Sequence, residues 1–143
     1  MDNTIFPRGI ELVAGVIIEN ENDEILLTLS TKWGDKWVLP GGHIEPGEKI
    51  IDAMVRETKE ETGFVINPVG IFNWGEVIGS KDFHRPAHFI YFDVYGKVIG
   101  GSLQLDKTEL TASQWISPQN ALSLNLADSY KETIEKFVQY RKG

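Results

Sequence analysis

The stretch of sequence that decides the fold runs from Gly42 to Phe64 and reads GHIEPGEKIIDAMVRETKEETGF. Pro46 and Gly47, which are typical of turns, lie near the start of this stretch. Between Glu48 and Thr62, apolar residues recur at the spacing of one helix face. Gly63 follows at the position where helices commonly end, because glycine adopts the left-handed conformation without strain. The pattern therefore predicts a helix over Glu48–Thr62.

The predicted helix has one stripe that should face the core, made of Ile51, Met54, Val55, Thr58 and Thr62. A second stripe carries Glu57, Glu60 and Glu61 at positions i, i+3 and i+4, where ionised carboxylates repel one another. An acidic cluster of this kind is most often a solvated face. A hard divalent cation among the oxygens would relieve the repulsion, and this favours a metal site as the alternative.

Two neighbouring features strengthen the metal-site hypothesis. A Gly-rich segment, Pro40–His43, precedes the helix, and we expect it to form a loop whose backbone can approach a ligand closely. Arg56 stands beside Glu57 and four residues from both Asp52 and Glu60, so it can hold a carboxylate in place.

The segments on either side predict strands and further helices. A hairpin is predicted from the strands Gly9–Glu19 and Glu24–Thr31. Three further strands are predicted at Trp37–Leu39, Phe64–Ile78 and Ala87–Ile99. Two helices are predicted near the end of the sequence, a short one after Pro118 and a closing one over Ala127–Tyr140. This order favours an α+β or α/β sandwich and leaves the topology open. It also leaves open whether the closing helix packs on its own sheet or joins a second copy in a homodimer.

Composition narrows the function classes. The chain has 143 residues, a formal net charge of −7 and no cysteine, which predicts one domain without disulfides, thiol nucleophiles or thiolate metal sites. A negative surface disfavours binding to nucleic-acid polymers, which are themselves negative. No apolar run approaches the ~20 residues of a membrane span, and Met1–Thr4 lacks the basic and apolar blocks of a secretory signal. We therefore expect no membrane partner and, by default, a cytoplasmic location.

The stretch from Gly42 to Phe64 resembles the Nudix box, G-x5-E-x7-R-E-U-x-E-E-x-G-U, in which U is a bulky apolar residue. Eight specified positions match with the spacing intact: Gly42, Glu48, Arg56, Glu57, Glu60, Glu61, Gly63 and Phe64. Thr58 departs from the pattern, and because it lies on the core stripe we interpret it as a packing change. The resemblance implies one Nudix hydrolase domain over residues 1–143, with the box at 42–64 and a mixed β-sheet sandwiched between helices.

The resemblance also implies a metal site for Mg²⁺ or Mn²⁺. Glu57 and Glu61 would be the principal ligands, and the carbonyl of Gly41 would complete the coordination. Glu60 would be a ligand or would take the proton from water.

Glu48 and Arg56 would then be supporting residues, with Arg56 orienting Glu57. The catalytic base stays open between Glu60, Glu61 and a loop residue. Some family members use a glutamate just before a late tryptophan, but Gln114 precedes Trp115 here, so Glu109 is the nearest substitute.

Three residues outside the box are candidates for substrate binding. Lys32 and Arg85 could contact phosphate, although a solvated lysine and a flexible surface loop are the commoner interpretations. Trp74, between Asn73 and Gly75, could stack on a base, although aromatic residues in strands more often belong to the core.

The resemblance implies hydrolysis of a nucleoside diphosphate linked to another group. Markers of ADP-ribose, dinucleoside polyphosphate and NADH pyrophosphatases are missing, so the chain is most similar to MutT-like enzymes that convert a nucleoside triphosphate to a monophosphate and pyrophosphate. Two alternatives are a nucleotide-sugar pyrophosphatase and a nucleotide-binding module without catalysis.

Overall fold

The computed structural model describes residues 5–143, which form seven strands, three α-helices and a short 3-10 helix at Thr31–Trp33. The strands are β1 (Ile10–Glu19), β2 (Ile25–Ser30), β3 (Lys36–Val38), β4 (Gly41–His43), β5 (Phe64–Ile78), β6 (His88–Gly101) and β7 (Leu110–Ile116). The helices are α1 (Ile50–Thr62), α2 (Pro118–Ala121) and α3 (Tyr130–Lys142). The prediction about a secretory signal concerns Met1–Thr4, which lie outside the described residues. Within residues 5–143 no helix has the length and apolar character needed to cross a membrane.

One mixed sheet organises the chain, with the order β3-β2-β1-β6-β5, while β4 pairs with β1 and β7 with β2. β1 and β6 run parallel over ten residue pairs, from Ile10 opposite His88 to Glu19 opposite Lys97. All other pairings are antiparallel. The predicted mixed sheet is therefore confirmed. The helix α1 lies between its two parallel strands, β1 and β6, in the order of the chain.

The predicted hairpin between β1 and β2 exists only at its turn. The side chain of Asn20 accepts hydrogen bonds from the backbone N–H groups of Asn22 and Glu24, at 2.9 and 3.0 Å. Beyond the single pair Glu19–Ile25 the strands diverge, because β1 pairs with β4 and β6 while β2 pairs with β3 and β7. Sequence analysis missed both β4 and β7.

Helices cover both faces of the sheet, as predicted. Side chains alternate along β1, so Val16 and Ile18 face α1, where they pack with Met54. Ile17 points to the other face and packs in the cluster that contains Phe137 of α3. The closing helix therefore covers its own sheet, and it begins three residues later than predicted.

Helix α1 begins at Ile50, two residues later than predicted, and ends as predicted at Gly63, which has a φ of 83°. Met54, Thr58 and Thr62 are buried as expected. The buried face is rotated from the predicted stripe, however: Ile51 and Val55 are half-buried, whereas Ala53 and Glu61 are buried. The rotation follows from β4, which packs on the glutamate side of the helix.

Thr58 and Thr62 make a matched pair for testing this packing. Both side chains are fully buried, but Thr58 Oγ1 has no hydrogen-bond partner among residues 5–143. Thr62 Oγ1 donates to the Thr58 carbonyl at 2.6 Å and accepts from the Phe64 N–H at 3.2 Å. We expect Thr58→Val to raise the free energy of unfolding by about 1 kcal/mol and Thr62→Val to lower it by about 1–3 kcal/mol, measured by urea denaturation. Equal effects of the two changes would contradict this packing.

Candidate active site

The site begins where β4 lies between β1 and α1. A Cβ atom on Gly41 would overlap the backbone carbonyl of Ala14, so only glycine lets β4 approach β1 this closely. A Cβ atom on Gly42 would lie 2.7 Å from the carboxyl group of Glu57. The segment predicted as a Gly-rich loop is thus a short strand, because its glycines allow it to pair with β1 and still leave room for a carboxylate.

Glu57 and Glu61 lie one helical turn apart and both line a cleft beside β4. Glu61 is only 8% exposed, and its Oε2 accepts a hydrogen bond from the Gly41 N–H at 2.8 Å. Burial, together with the charges of Glu57, Glu109 and Asp106, raises the pKa of Glu61 to about 8. Burial also raises the pKa of Glu57, against the lowering effect of Arg56. The pair is therefore a buried acidic site that strongly disfavours two negative charges.

Arg56 holds the acidic residues around it through four hydrogen bonds. Its guanidinium donates to both carboxylate oxygens of Glu48, at 2.7 and 2.9 Å, to Glu57 at 3.0 Å and to Glu60 at 3.2 Å. The hydrogen bond from Arg56 lowers the pKa of Glu48 to about 2. A planar guanidinium held by Glu48 in this bidentate way fixes the Oε1 atom of Glu57 that it contacts.

Glu60 differs from Glu57 and Glu61 in its exposure, although it shares the Nη1 group of Arg56 with Glu57. Its side chain is 58% exposed and is not part of the cleft wall. On an α-helix, the side chain at i+4 points in a direction closer to that of residue i than the side chain at i+3 does. The single acidic stripe inferred from the sequence is therefore two: Glu57 and Glu61 face the cleft, and Glu60 faces solvent beside Arg56. No group of three acidic or histidine side chains that could hold a metal ion occurs within residues 5–143.

The cleft has a volume of about 370 Å³ and two chemically different ends. The acidic end contains Glu57, Glu61 and Glu109. The remaining wall is largely aromatic and includes Trp33, Phe83, Phe89, Tyr91 and Tyr130. The Trp33 ring centre lies 4.6 Å from that of Phe83 and 5.9 Å from that of Tyr130, so the wall is a packed cluster. Such a cleft can hold a charged group at one end and a flat ring at the other.

The three substrate-binding candidates from the sequence lie in different places. Lys32 lines the cleft, where its Nζ lies 2.6 Å from Glu109. Arg85 instead forms a bidentate ion pair with Glu11, at 2.7 and 2.8 Å, and stacks on Phe83 behind the cleft wall. Trp74 is 62% exposed and outside the cleft, because it lies on the sheet face opposite to the aromatic cluster.

Two cleft residues, Tyr130 and Asp93, were not singled out by sequence analysis as site residues. Asp93 stands between the apolar residues Phe92 and Val94 in a long strand. An acid at the inward position of such a strand was the available signal, because buried carboxylates are rare unless they have a partner.

Comparison with known proteins agrees with this geometry. The family model described as the NUDIX domain matches residues 10–137, nine-tenths of the chain. The chain belongs to the NUDIX family. Nudix hydrolases act on phosphoric anhydride bonds of nucleotide-linked substrates, and the chain is a hydrolase of this class. Members of the family generally use divalent metal ions.

Individual Nudix relatives differ in how much of their length they share with the chain. A Bacillus subtilis (strain 168) protein, provisionally named an 8-oxo-dGTP diphosphatase, is 33% identical over 87% of this chain and 77% of its own. The m7GpppN-mRNA hydrolase NUDT17 of Danio rerio is 29% identical over 90% of this chain, which spans about half (49%) of that relative. The MutT protein of Methanosarcina mazei Go1 has the same fold, with a TM-score of 0.78 and 24% identity over 94% of this chain and 96% of its own.

Gly41→Ala and Gly42→Ala test the two separate roles of the glycines. Gly41→Ala places a methyl group against the backbone of β1, so we expect it to lower the free energy of unfolding by about 1–3 kcal/mol. The methyl group added by Gly42→Ala is nearest to the carboxyl end of Glu57, a side chain that can move. Stability should therefore change little, while phosphoric anhydride hydrolysis falls by about 100-fold. Calorimetry and an activity assay on both variants check this. Full activity in a folded Gly42→Ala variant would contradict the assigned role of Gly42.

Proposed function

We propose that this Nudix hydrolase is a divalent-metal-dependent pyrophosphohydrolase that converts a nucleoside triphosphate to a nucleoside monophosphate and pyrophosphate. The observation that carries the proposal is the half-buried Glu57 beside the buried Glu61, in a cleft whose remaining wall is largely aromatic. A nucleotide has the same polarity, because its phosphates are charged and its base is a flat ring.

The residues at the acidic end fit a magnesium or manganese ion. Both side chains offer carboxylate oxygens, the ligands that Mg²⁺ prefers, and Mg²⁺ is usually held by one or two carboxylates together with substrate phosphates. Burial raises the pKa of both Glu57 and Glu61, so a cation bound between them would offset negative charge that the site disfavours. We propose that Glu57, Glu61 and the Gly41 carbonyl would hold the ion. When bound, it would neutralise phosphate charge and make water more acidic.

The surrounding residues would position this site. Arg56, itself held by Glu48, orients Glu57, while the Gly41 N–H fixes one oxygen of Glu61. The proton acceptor for the attacking water is Glu60 or Glu61 in this proposal, and of the two only Glu61 lines the cleft. Glu60 would then act through Arg56, or would reach an additional ion at the solvent side of the helix.

The remaining cleft residues favour a triphosphate. Lys32 brings a positive charge to the acidic end, where it pairs with Glu109 and could exchange this partner for phosphate oxygens. The name of the Bacillus subtilis relative, of which the chain spans 77%, also refers to a nucleoside triphosphate. The positions of Trp74 and Arg85 do not support substrate contacts, so we leave both residues out of the proposed site.

Substitutions on helix α1 test the proposed roles of its acidic residues. Glu61→Gln should lower turnover by about 100-fold or more, because it removes a ligand charge and a proton acceptor while keeping the side-chain shape. Asp52→Asn on the same helix is the matched control, since Asp52 is exposed and outside the cleft, and it should keep wild-type turnover. Wild-type rates in Glu61→Gln would rule out the assigned role. A loss in Glu60→Gln as large as that in Glu61→Gln would assign Glu60 to the metal site as well.

The reaction itself is measured with a panel of nucleoside triphosphates and nucleotide sugars in Mg²⁺. Phosphate that appears from triphosphates only when inorganic pyrophosphatase is added supports the proposal. Phosphate that appears from nucleotide sugars only when a phosphatase is added would replace it with the nucleotide-sugar alternative. No release from any member of the panel, with Mn²⁺ tried as well, would favour a binding module.

A further inference from the structure

Asp93 is an acid in the cleft that the proposed chemistry does not use. It lies on β6 and is 3% exposed, and the sheet register places it beside Gly15 of β1, which in turn lies beside Gly41 of β4. Gly15 has no side chain, and a Cβ atom there would lie 3.7 Å from Asp93 Oδ1. The carboxylate therefore borders the open floor of the cleft that Gly15 and Gly41 also line.

Only one of the two carboxylate oxygens of Asp93 has protein partners. Asn73 Nδ2 and Thr133 Oγ1 both donate to Oδ2, each at 2.9 Å. Oδ1 accepts no hydrogen bond from any side chain or backbone group of residues 5–143. Among the fully buried side-chain oxygens and nitrogens of residues 5–143 only Thr58 Oγ1 lacks a partner, so the free Oδ1 of Asp93 is open to the cleft, where a ligand donor can reach it.

The fold alone does not require a carboxylate at this position. An amide oxygen could accept the same hydrogen bonds from Asn73 and Thr133 without bringing a charge into the protein interior. Burial raises the pKa of Asp93 to about 6, although both hydrogen bonds lower it, so the charge costs stability at neutral pH. A carboxylate that costs stability, and whose oxygen on the cleft side has no protein partner, is more typical of a binding site than of a core.

The surroundings of Asp93 fit a nucleobase. Tyr91 and Tyr130 line the cleft near it, and both hydroxyl groups have a pKa that burial and the negative charge of Asp93 raise. Asp93 lies on the second strand from Gly41, and at the usual strand spacing the Cα atoms of the two residues are about 10 Å apart. The distance between the phosphates of a nucleotide and the far edge of its base is comparable. Phosphates bound near Glu61 would thus place the base edge near Asp93.

We propose that Asp93 is a specificity-determining residue whose Oδ1 accepts hydrogen bonds from the base, which favours guanine-type bases over adenine. Guanine presents two neighbouring donors on one edge, N1–H and the 2-amino group, and a carboxylate accepts from both. Adenine has an acceptor at N1, which a carboxylate repels. This inference rests on the proposed function, because it assigns the base end of the same cleft.

Binding of nucleoside monophosphates tests the assignment without any need for hydrolysis. The probes are GMP, IMP, AMP and 2′-deoxy-GMP, titrated calorimetrically into the full chain with Mg²⁺. We expect GMP to bind the wild-type protein more tightly than IMP, which lacks the 2-amino donor, and much more tightly than AMP. Asp93→Asn retains the size of the side chain and an oxygen for Asn73 and Thr133 but turns an NH₂ group toward the base. It should weaken GMP binding by tenfold or more and leave AMP binding unchanged or tighter.

Two controls make the result specific. Asp52→Asn removes the same charge from an exposed residue of α1 outside the cleft and should keep the preference for GMP. Thermal unfolding of Asp93→Asn shows that the variant is folded. An equal loss of GMP and AMP binding in Asp93→Asn, or no loss of either, would overturn the inference. A wild-type preference for GMP over 2′-deoxy-GMP that Asp93→Asn abolishes, with AMP bound as tightly as GMP, would assign Asp93 to the ribose and overturn the base assignment.

The proposed function and this inference fail in different ways. A protein that prefers GMP but hydrolyses no triphosphate refutes the proposed reaction and leaves the role of Asp93 intact. A protein that hydrolyses all triphosphates with equal kcat/KM, and binds GMP and AMP equally, refutes the role of Asp93 and leaves the reaction intact.

Discussion

The site depends on one unfavourable interaction, the placement of the half-buried Glu57 beside the buried Glu61 next to strand β4. Two like charges in a partly dry site repel, and the free energy of folding must offset that repulsion. The neighbouring residues make the arrangement tolerable: Arg56 binds one carboxylate, and the backbone N–H of Gly41 binds the other. A cation would complete the compensation. The same interaction therefore links the stability of the helix to the chemistry proposed for the cleft.

The sheet places the two ends of the cleft at a fixed separation. β1 lies between β4, which touches the glutamates, and β6, which carries Asp93 and Tyr91. Because the register of these three strands is set by the hydrophobic alternation of β1, the acidic end and the aromatic end cannot slide relative to each other. A rigid separation of this kind lets one part of the chain supply the reaction and another the selectivity.

Local sequence patterns predicted the helix α1 and its end at Gly63, since both depend on spacing within a short segment, whereas the mixed sheet was predicted from the resemblance to the Nudix family. Other features depend on contacts between distant segments. β7 pairs with β2 across 80 to 91 residues, and β4 packs on the side of the helix that carries Glu57 and Glu61, which leaves Glu60 exposed. Trp74 and Asp93 show the same limit: alternation puts them on opposite faces of the sheet, but only the tertiary structure identifies which face borders the cleft.

Thermal unfolding with and without Mg²⁺ tests most directly whether the buried pair is a cation site. Wild-type protein and the double variant Glu57→Gln/Glu61→Gln are compared by calorimetry at neutral pH. If the pair binds the ion, Mg²⁺ raises the unfolding temperature of the wild-type protein but not that of the double variant. Without metal, the double variant unfolds at the higher temperature, because its buried side chains carry no charge. An equal shift by Mg²⁺ in both proteins would contradict the account.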